Sequence, residues 1–336
     1  MDYAFMQIAD ETQEITRLEK YGVNGKTIYL VKRDNLPFST VEIFSPIDLE
    51  KIYTGNYDAN LRTSRENYAD IKVVEKDSFE AAKGFENPLV MNFASGTHRG
   101  GGFLTGSHAQ EESLCRCSTL YASLTAQAAN KYYEYNRSLH SPLYSDYMLL
   151  SPNVCVFRDA RLNLLAEPYN VAVATVPAPN LRSIKVEKND LVHLMLQRIR
   201  YFLSMVAAKG YKNLVLGAWG CGAFRHNPYD VAGYFHKVLI DEGFAGLFDN
   251  IVFAVVKSNE NLLAFQKIFS SRDNNLLLAL RRKEDEEIFM HLRSIEKIIQ
   301  TKCSRCDTVL GCLGCNLNEM EQDIEHAKKM LGFRNY

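Results

Sequence analysis

The sequence has almost no net charge: 39 lysines and arginines face 40 aspartates and glutamates, leaving a formal charge of −1. No global field therefore draws the chain to nucleic acid or to an anionic membrane. Long apolar runs are also missing. Those present, such as Leu214 to Trp219 and Ile251 to Val256, are strand-sized and well short of the roughly 20 residues that span a bilayer. The opening stretch MDYAFMQIADETQEITRLEK is acidic throughout, unlike a signal peptide or transit sequence. Together these absences predict a cytoplasmic protein with no membrane partner. Internal repeats and low-complexity tracts are absent too, and tryptophan occurs once, at Trp219.

The chain does have material for a core. Its 336 residues suit one large domain or two modest ones at ~150 residues each, and a 46% hydrophobic content is too apolar for a disordered chain. Short β-branched runs at 27–32, 41–44, 71–74, 89–93, 148–156, 171–176, 214–216 and 251–256 read as strands. Helical spacing appears between them at 8–21, 110–128, 191–209, 229–239 and 261–269. Strands alternating with helices predict an α/β fold with a mostly parallel or mixed sheet covered on both faces. After about Phe269 the texture changes, so a boundary is expected there, giving domains 1–270 and 271–336. Residues 270–275 read as a linker or helix entry, followed by a helix-like stretch from Leu276 to Gln300 whose charge run RRKEDEE reads as a solvated face, because its signs nearly cancel, and by a polar helical tail from Asn316 to Leu331.

The most informative segment is LVMNFASGTHRGGGFLTGSHAQEESLCRCSTLYASL from Leu89, an apolar strand that runs through a glycine-rich loop into an amphipathic helix. Ser107 and Gln110 have capping-box spacing, which predicts the helix start, and Leu114, Cys117, Leu120, Tyr121 and Leu124 form its apolar stripe. Gly100, Gly101 and Gly102 leave backbone amides unshielded and allow positive φ, so a phosphate or sugar can approach the main chain. Glu111 and Glu112 fall in the helix's first turn. Carboxylates there are favoured by the helix dipole alone, by about 0.3–1 kcal/mol. Adjacent glutamates, however, point about 100° apart on a helix, so one can bind a sugar hydroxyl while the other does acid–base work. A second strand-loop-helix, NLVLGAWGCGAFRHNPYDV from Asn213, repeats the logic with Gly217, Gly220 and Gly222. Its GxxGxG spacing is not the dinucleotide fingerprint, but a phosphate cradle of another kind fits. Two such loops at the carboxyl ends of strands would face one crevice.

Three glycines, seven residues and then QEE resemble the signature of the compact bacterial poly(ADP-ribose) glycohydrolases, which are macrodomains. The segments IADETQEI from Ile8, NFASGTHRGGG from Asn92, SPNVCVFRD from Ser151, VPAPN from Val176 and GAWGCGAF from Gly217 are similar to that family, in its order. The resemblance spans residues 5–270. It implies a macrodomain-like three-layer sandwich with a mixed sheet, an N-terminal α/β extension and, beyond the resemblance, a small helical C-terminal cysteine-rich module. It further implies a glycosidase that cleaves the ribose–ribose bond of poly(ADP-ribose) attached to protein and releases ADP-ribose. By the resemblance Glu112 is the general acid and then the base, Glu111 holds ribose hydroxyls and Asn92 the distal ribose. Gly100 to Gly102 would shape the catalytic loop, Gln110 would bind substrate beside them, and Gly220, Cys221, Gly222, Ala223 and Phe224 would wrap the diphosphate. Two basic pairs, His98-Arg99 and Arg225-His226, depart from the family pattern. They read either as extra phosphate contacts or as surface decoration. His98, His108 and His226 are expected to be hydrogen-bonding surface residues.

No cofactor is expected for catalysis. Cys303-x-x-Cys306 and Cys312-x-x-Cys315 supply the four thiolates of a closed zinc site. Zinc is the leading reading and an iron–sulfur cluster stays open. The role expected is structural, or docking of a protein partner. Beside the glycohydrolase, three other readings remain: a hydrolase of mono-ADP-ribosyl linkages on protein or nucleic acid, a non-catalytic ADP-ribose reader, and an adaptor acting through the cysteine module.

Overall fold

The computed structural model describes residues 3–60, 69–182, 184–256 and 258–269. The four clustered cysteines and the helical tail expected after 270 lie outside the described residues. Helix α1 (Tyr3–Leu18) buries Ala9, Thr12 and Ile15 at helical spacing. A two-stranded hairpin follows, β1 (Lys20–Val23) and β2 (Lys26–Tyr29), turning through Asn24 and Gly25 at φ 51° and 72°. Both central residues at positive φ give the turn whose twist suits a tight hairpin. The chain continues through β3 (Glu42–Phe44), α2 (Pro46–Asn60), β4 (Asp70–Val74), α3 (Ser78–Ala82), β5 (Pro88–Ala94), α4 (Gln110–Cys117), α5 (Leu120–Leu124) and α6 (Asn130–Ser138). Then come β6 (Met148–Arg158), β7 (Leu164–Pro177), α7 (Lys188–Ala208), β8 (Asn213–Leu216), α8 (Pro228–His236), β9 (Asn250–Ala254) and α9 (Asn259–Phe269).

Seven strands form one mixed sheet in the order β3-β6-β7-β5-β8-β9-β4. β6 runs antiparallel to both its neighbours, and every pairing from β7 to β4 is parallel. Adjacent side chains of a strand point to opposite faces, and the packing follows that alternation. Leu89 and Met91 of β5 join a core with Ile199, Phe202, Phe235 and Phe265 from α7, α8 and α9. Val90 joins another with Phe79, Leu114, Leu120 and Tyr132 from α3 to α6. The sheet is thus the middle of three layers. A smaller core of Ile15, Tyr21, Leu30, Phe38, Cys155 and Phe157 fastens the N-terminal extension.

One expected helix is broken. The stretch 110–128 divides at Ser118, which forms an antiparallel bridge with Val156, while the Thr119 amide donates to the Cys155 carbonyl at 3.0 Å. The chain here exchanges helical hydrogen bonds for bonds to β6, and no glycine or proline marks the break. Most of its apolar stripe holds nevertheless: Leu114, Cys117, Leu120 and Leu124 are buried, and Tyr121 is half-buried against the same core.

Candidate active site

The site grows from the end of β5, where its pairing with β8 stops at Val90 and Val215. Past that point the Gln110 side chain takes a strand's place. Its Nε2 donates to the Met91 carbonyl at 2.8 Å and its Oε1 accepts from the Phe93 amide at 2.9 Å. A further bond runs from Nε2 to Ser78 Oγ at 3.1 Å. Gln110 therefore pins the first residue of α4 to the sheet. This helix is preceded by Ala109, which makes no side-chain cap, so Ser107 is not the expected N-cap. Ser107 instead has its amide on the Gly102 carbonyl and its own carbonyl on Arg116.

Glu111 and Glu112 are both buried, at 3% and 7% exposure, yet they differ in what they meet. Glu111 is occupied on both oxygens: Oε1 accepts from Asn92 Nδ2 at 3.4 Å and Oε2 from the Ser95 amide at 2.8 Å. Burial pushes its carboxyl up to about 8, against the pull of the Ser95 amide, so it holds a proton at neutral pH. Glu112 is occupied on one side only. Its Oε1 accepts from the Gly102 amide at 2.8 Å, and its Oε2 is buried with no hydrogen-bond partner. Asn92, fully buried beneath them, also donates to Thr175 Oγ1 at 3.2 Å and keeps Oδ1 unpartnered. The glycines make this approach possible. Gly101, at φ 58°, lies where a Cβ would drive into Glu112 Oε1, and a Cβ on Gly102 would drive into Ser107 Oγ.

The second glycine loop is folded on His226. This histidine is buried rather than on the surface, because its Nε2 lies 2.7 Å from the Pro179 carbonyl and its ring packs where a Cβ on Gly220 would sit, 2.7 Å away. Burial holds its pKa below the usual histidine value. His98 and His108 are exposed, as expected. Trp219 is buried under the loop, its Nε1 donating to the Val176 carbonyl at 3.1 Å. Cys221 is half-buried and burial pushes its thiol up to about 12, which leaves it unsuited to nucleophilic work. Phe224 faces Tyr144, ring centroids 6.1 Å apart.

Both loops open on one cleft of about 880 Å³, lined by Gly101, Gln110, Glu111 and Glu112 from one and Gly220, Gly222, Ala223 and Phe224 from the other. Such a volume suits a whole small-molecule ligand. Among the described residues no group of three or more histidines, cysteines and carboxylates could hold a metal ion.

Comparison with known proteins agrees with this geometry. The model of the catalytic domain of microbial-type PARG matches residues 9–159. The solved poly(ADP-ribose) glycohydrolase from Thermomonospora curvata is 35% identical with a TM-score of 0.74, and the match covers 80% of this chain and 100% of that one. This chain belongs to the microbial-type PARG family. The same relative solved with the inhibitor ADP-HPD matches at 35% identity and a TM-score of 0.72, over 80% of this chain and 100% of that one. The Deinococcus radiodurans PARG in complex with ADP-ribose matches at 36% identity and 0.62, over 69% and 95%. No curated protein matches the chain.

In this PARG the GGG and QEE motifs meet where the Gly102 amide donates to Glu112 Oε1 and Gly101 lies against the same carboxylate. Among the cleft residues not anticipated from the sequence, Asp77 has the most distinctive surroundings. Asp77 caps α3 through Oδ1, which accepts from the Phe79 and Glu80 amides, and lines the cleft with Oδ2 buried and unpartnered. Its only signal in the sequence is an aspartate before a five-residue helix, too short to show periodicity.

Proposed function

We propose that this PARG hydrolyses the ribose–ribose O-glycosidic bond of poly(ADP-ribose) carried on protein, releasing ADP-ribose, with Glu112 as the acid–base group. One observation carries the assignment of roles: of the two buried carboxylates that line the cleft, Glu112 alone has an oxygen without a partner. A proton on that oxygen passes to the leaving ribose oxygen as the C–O bond breaks and positive charge develops on the ribose. The resulting carboxylate then takes a proton from the incoming water, which restores the acid. One carboxyl group thus serves both half-reactions. Glu111, neutral through burial, adds no negative charge beside the carboxylate that Glu112 becomes once its proton is given up, and holds ribose hydroxyls together with Asn92, whose free Oδ1 suits a hydroxyl donor. The loop 220–224 wraps the diphosphate, its backbone close to the ligand and Phe224 against it.

The macrodomain-type unit proposed for 1–270 is supported by the compactness of Met1–Ser270 as one unit. No helix among the described residues is long and apolar enough to cross a membrane, and the reading places the enzyme in a reducing cytoplasm. There Cys303, Cys306, Cys312 and Cys315 would bind a structural zinc ion and dock a protein partner, on the strength of their spacing. Metal analysis of the full chain tests this: zinc lost on Cys303→Ser supports it, and a chain free of metal overturns it.

The enzyme reading is tested by incubating the full chain with poly(ADP-ribose) and, separately, with mono-ADP-ribosylated protein, following ADP-ribose by chromatography. Release from the polymer is expected. Release from mono-modified protein alone would reassign the substrate, and tight ADP-ribose binding with no release would make the protein a reader.

A further inference from the structure

Arg116 is 2% exposed and sits one helical turn beyond Glu112 on α4. Its Nη1 donates to the Ser107 carbonyl at 2.7 Å. The Ser107 amide donates to the Gly102 carbonyl at 3.1 Å, joined there by the amide and hydroxyl of Thr105 at 3.0 and 3.1 Å. On the other side of the same α-carbon, the Gly102 amide donates to Glu112 Oε1 at 2.8 Å. Glu112, Gly102, Ser107 and Arg116 thus form a closed ring whose last side is α4 itself. Helix α1 braces the ring from outside: the Phe5 ring lies 4.2 Å from the Arg116 guanidinium carbon, and Thr12 Oγ1 donates to the Arg116 carbonyl at 2.9 Å.

Resting on the glycohydrolase reading above, we propose that Arg116 is a positioning residue. It fixes the loop that holds Glu112 Oε1, and so aims Oε2 at the glycosidic oxygen, with Phe5 clamping the guanidinium in place. The physical logic is that a carboxylate tied on one oxygen can still swing about its own axis. A loop with three glycines has little stiffness of its own to prevent that. A guanidinium is suited to the task because it presents fixed donors and a flat face to an aromatic ring at once. The ring acts on the orientation of Glu112, not on the 220–224 loop, so its loss should slow chemistry while leaving binding of the product intact.

The test compares wild type with Arg116→Met, Arg116→Lys and Phe5→Ala by steady-state kinetics on poly(ADP-ribose), ADP-ribose calorimetry and thermal melting. Arg116→Met is expected to lose about tenfold to a hundredfold in kcat, the scale of a misaimed catalytic group, with the ADP-ribose Kd unchanged within about twofold. Arg116→Lys, which keeps a donor for Ser107, is expected to recover most of the rate, and Phe5→Ala to lower kcat in the same direction. A folded Arg116→Met with wild-type kcat, or a loss shared equally with ADP-ribose affinity, overturns the proposal. If Arg116→Met does not fold, the other two decide: an inactive but stably folded Lys variant, or an unaltered kcat in Phe5→Ala, overturns it. An inactive wild type would overturn the proposed function instead, a separate result read from the same control.

Discussion

The α-carbon of Gly101 lies against the Glu112 carboxylate, so that a Cβ there would collide with Oε1 and approach Glu111 Oε2 to 3.1 Å. The residue also sits at φ 58°, which costs an L-residue roughly 1–2 kcal/mol. Gly101→Ala is therefore expected to displace Glu112 and cut kcat by about a hundredfold, with a modest fall in Tm. Wild-type kcat in this variant would show that the loop has room that the structure denies it.

Gln110 replaces a missing strand neighbour with three side-chain hydrogen bonds, two to β5 and one to Ser78. Gln110→Ala strands the Phe93 amide and Met91 carbonyl and is expected to cost about 1–3 kcal/mol. Denaturant unfolding measures this. A cost below about 0.5 kcal/mol would mean that these bonds contribute little.

Glu111 sets a pH dependence of stability. Its folded pKa, raised to about 8, stands above the ordinary 4.5, so the folded state binds the extra proton between those values. The stability this contributes is full below pH 4.5 and is lost as pH rises through 8. Glu111→Gln, which cannot ionise, is expected to flatten the decline in unfolding free energy across that window. An unchanged slope would place the titrating group elsewhere.

Much of this site can be read from sequence because its chemistry is local. The three glycines, Glu111 and Glu112 lie within thirteen residues, and the strand before them and helix after them are marked by pattern. What pattern does not carry is set by partners far along the chain. Ser118 leaves its helix because Val156 offers a bridge 38 residues on, and Ser107 fails as a cap because Arg116 and Gly102 hold its backbone. His226 is buried only because the Pro179 carbonyl, 47 residues earlier in the chain, meets its ring nitrogen. Asp77 reaches the cleft from another strand's end, which the sheet order decides.

The central claim is that the unpartnered oxygen of Glu112 does the proton transfer. Glu112→Gln keeps the shape and an oxygen for the Gly102 amide while removing the proton to give. Measured on poly(ADP-ribose), it is expected to lower kcat by about 10²–10⁴-fold, with ADP-ribose binding by calorimetry retained. A variant that still hydrolyses the polymer at the wild-type rate would contradict the account, and the acid would have to be sought elsewhere in the cleft.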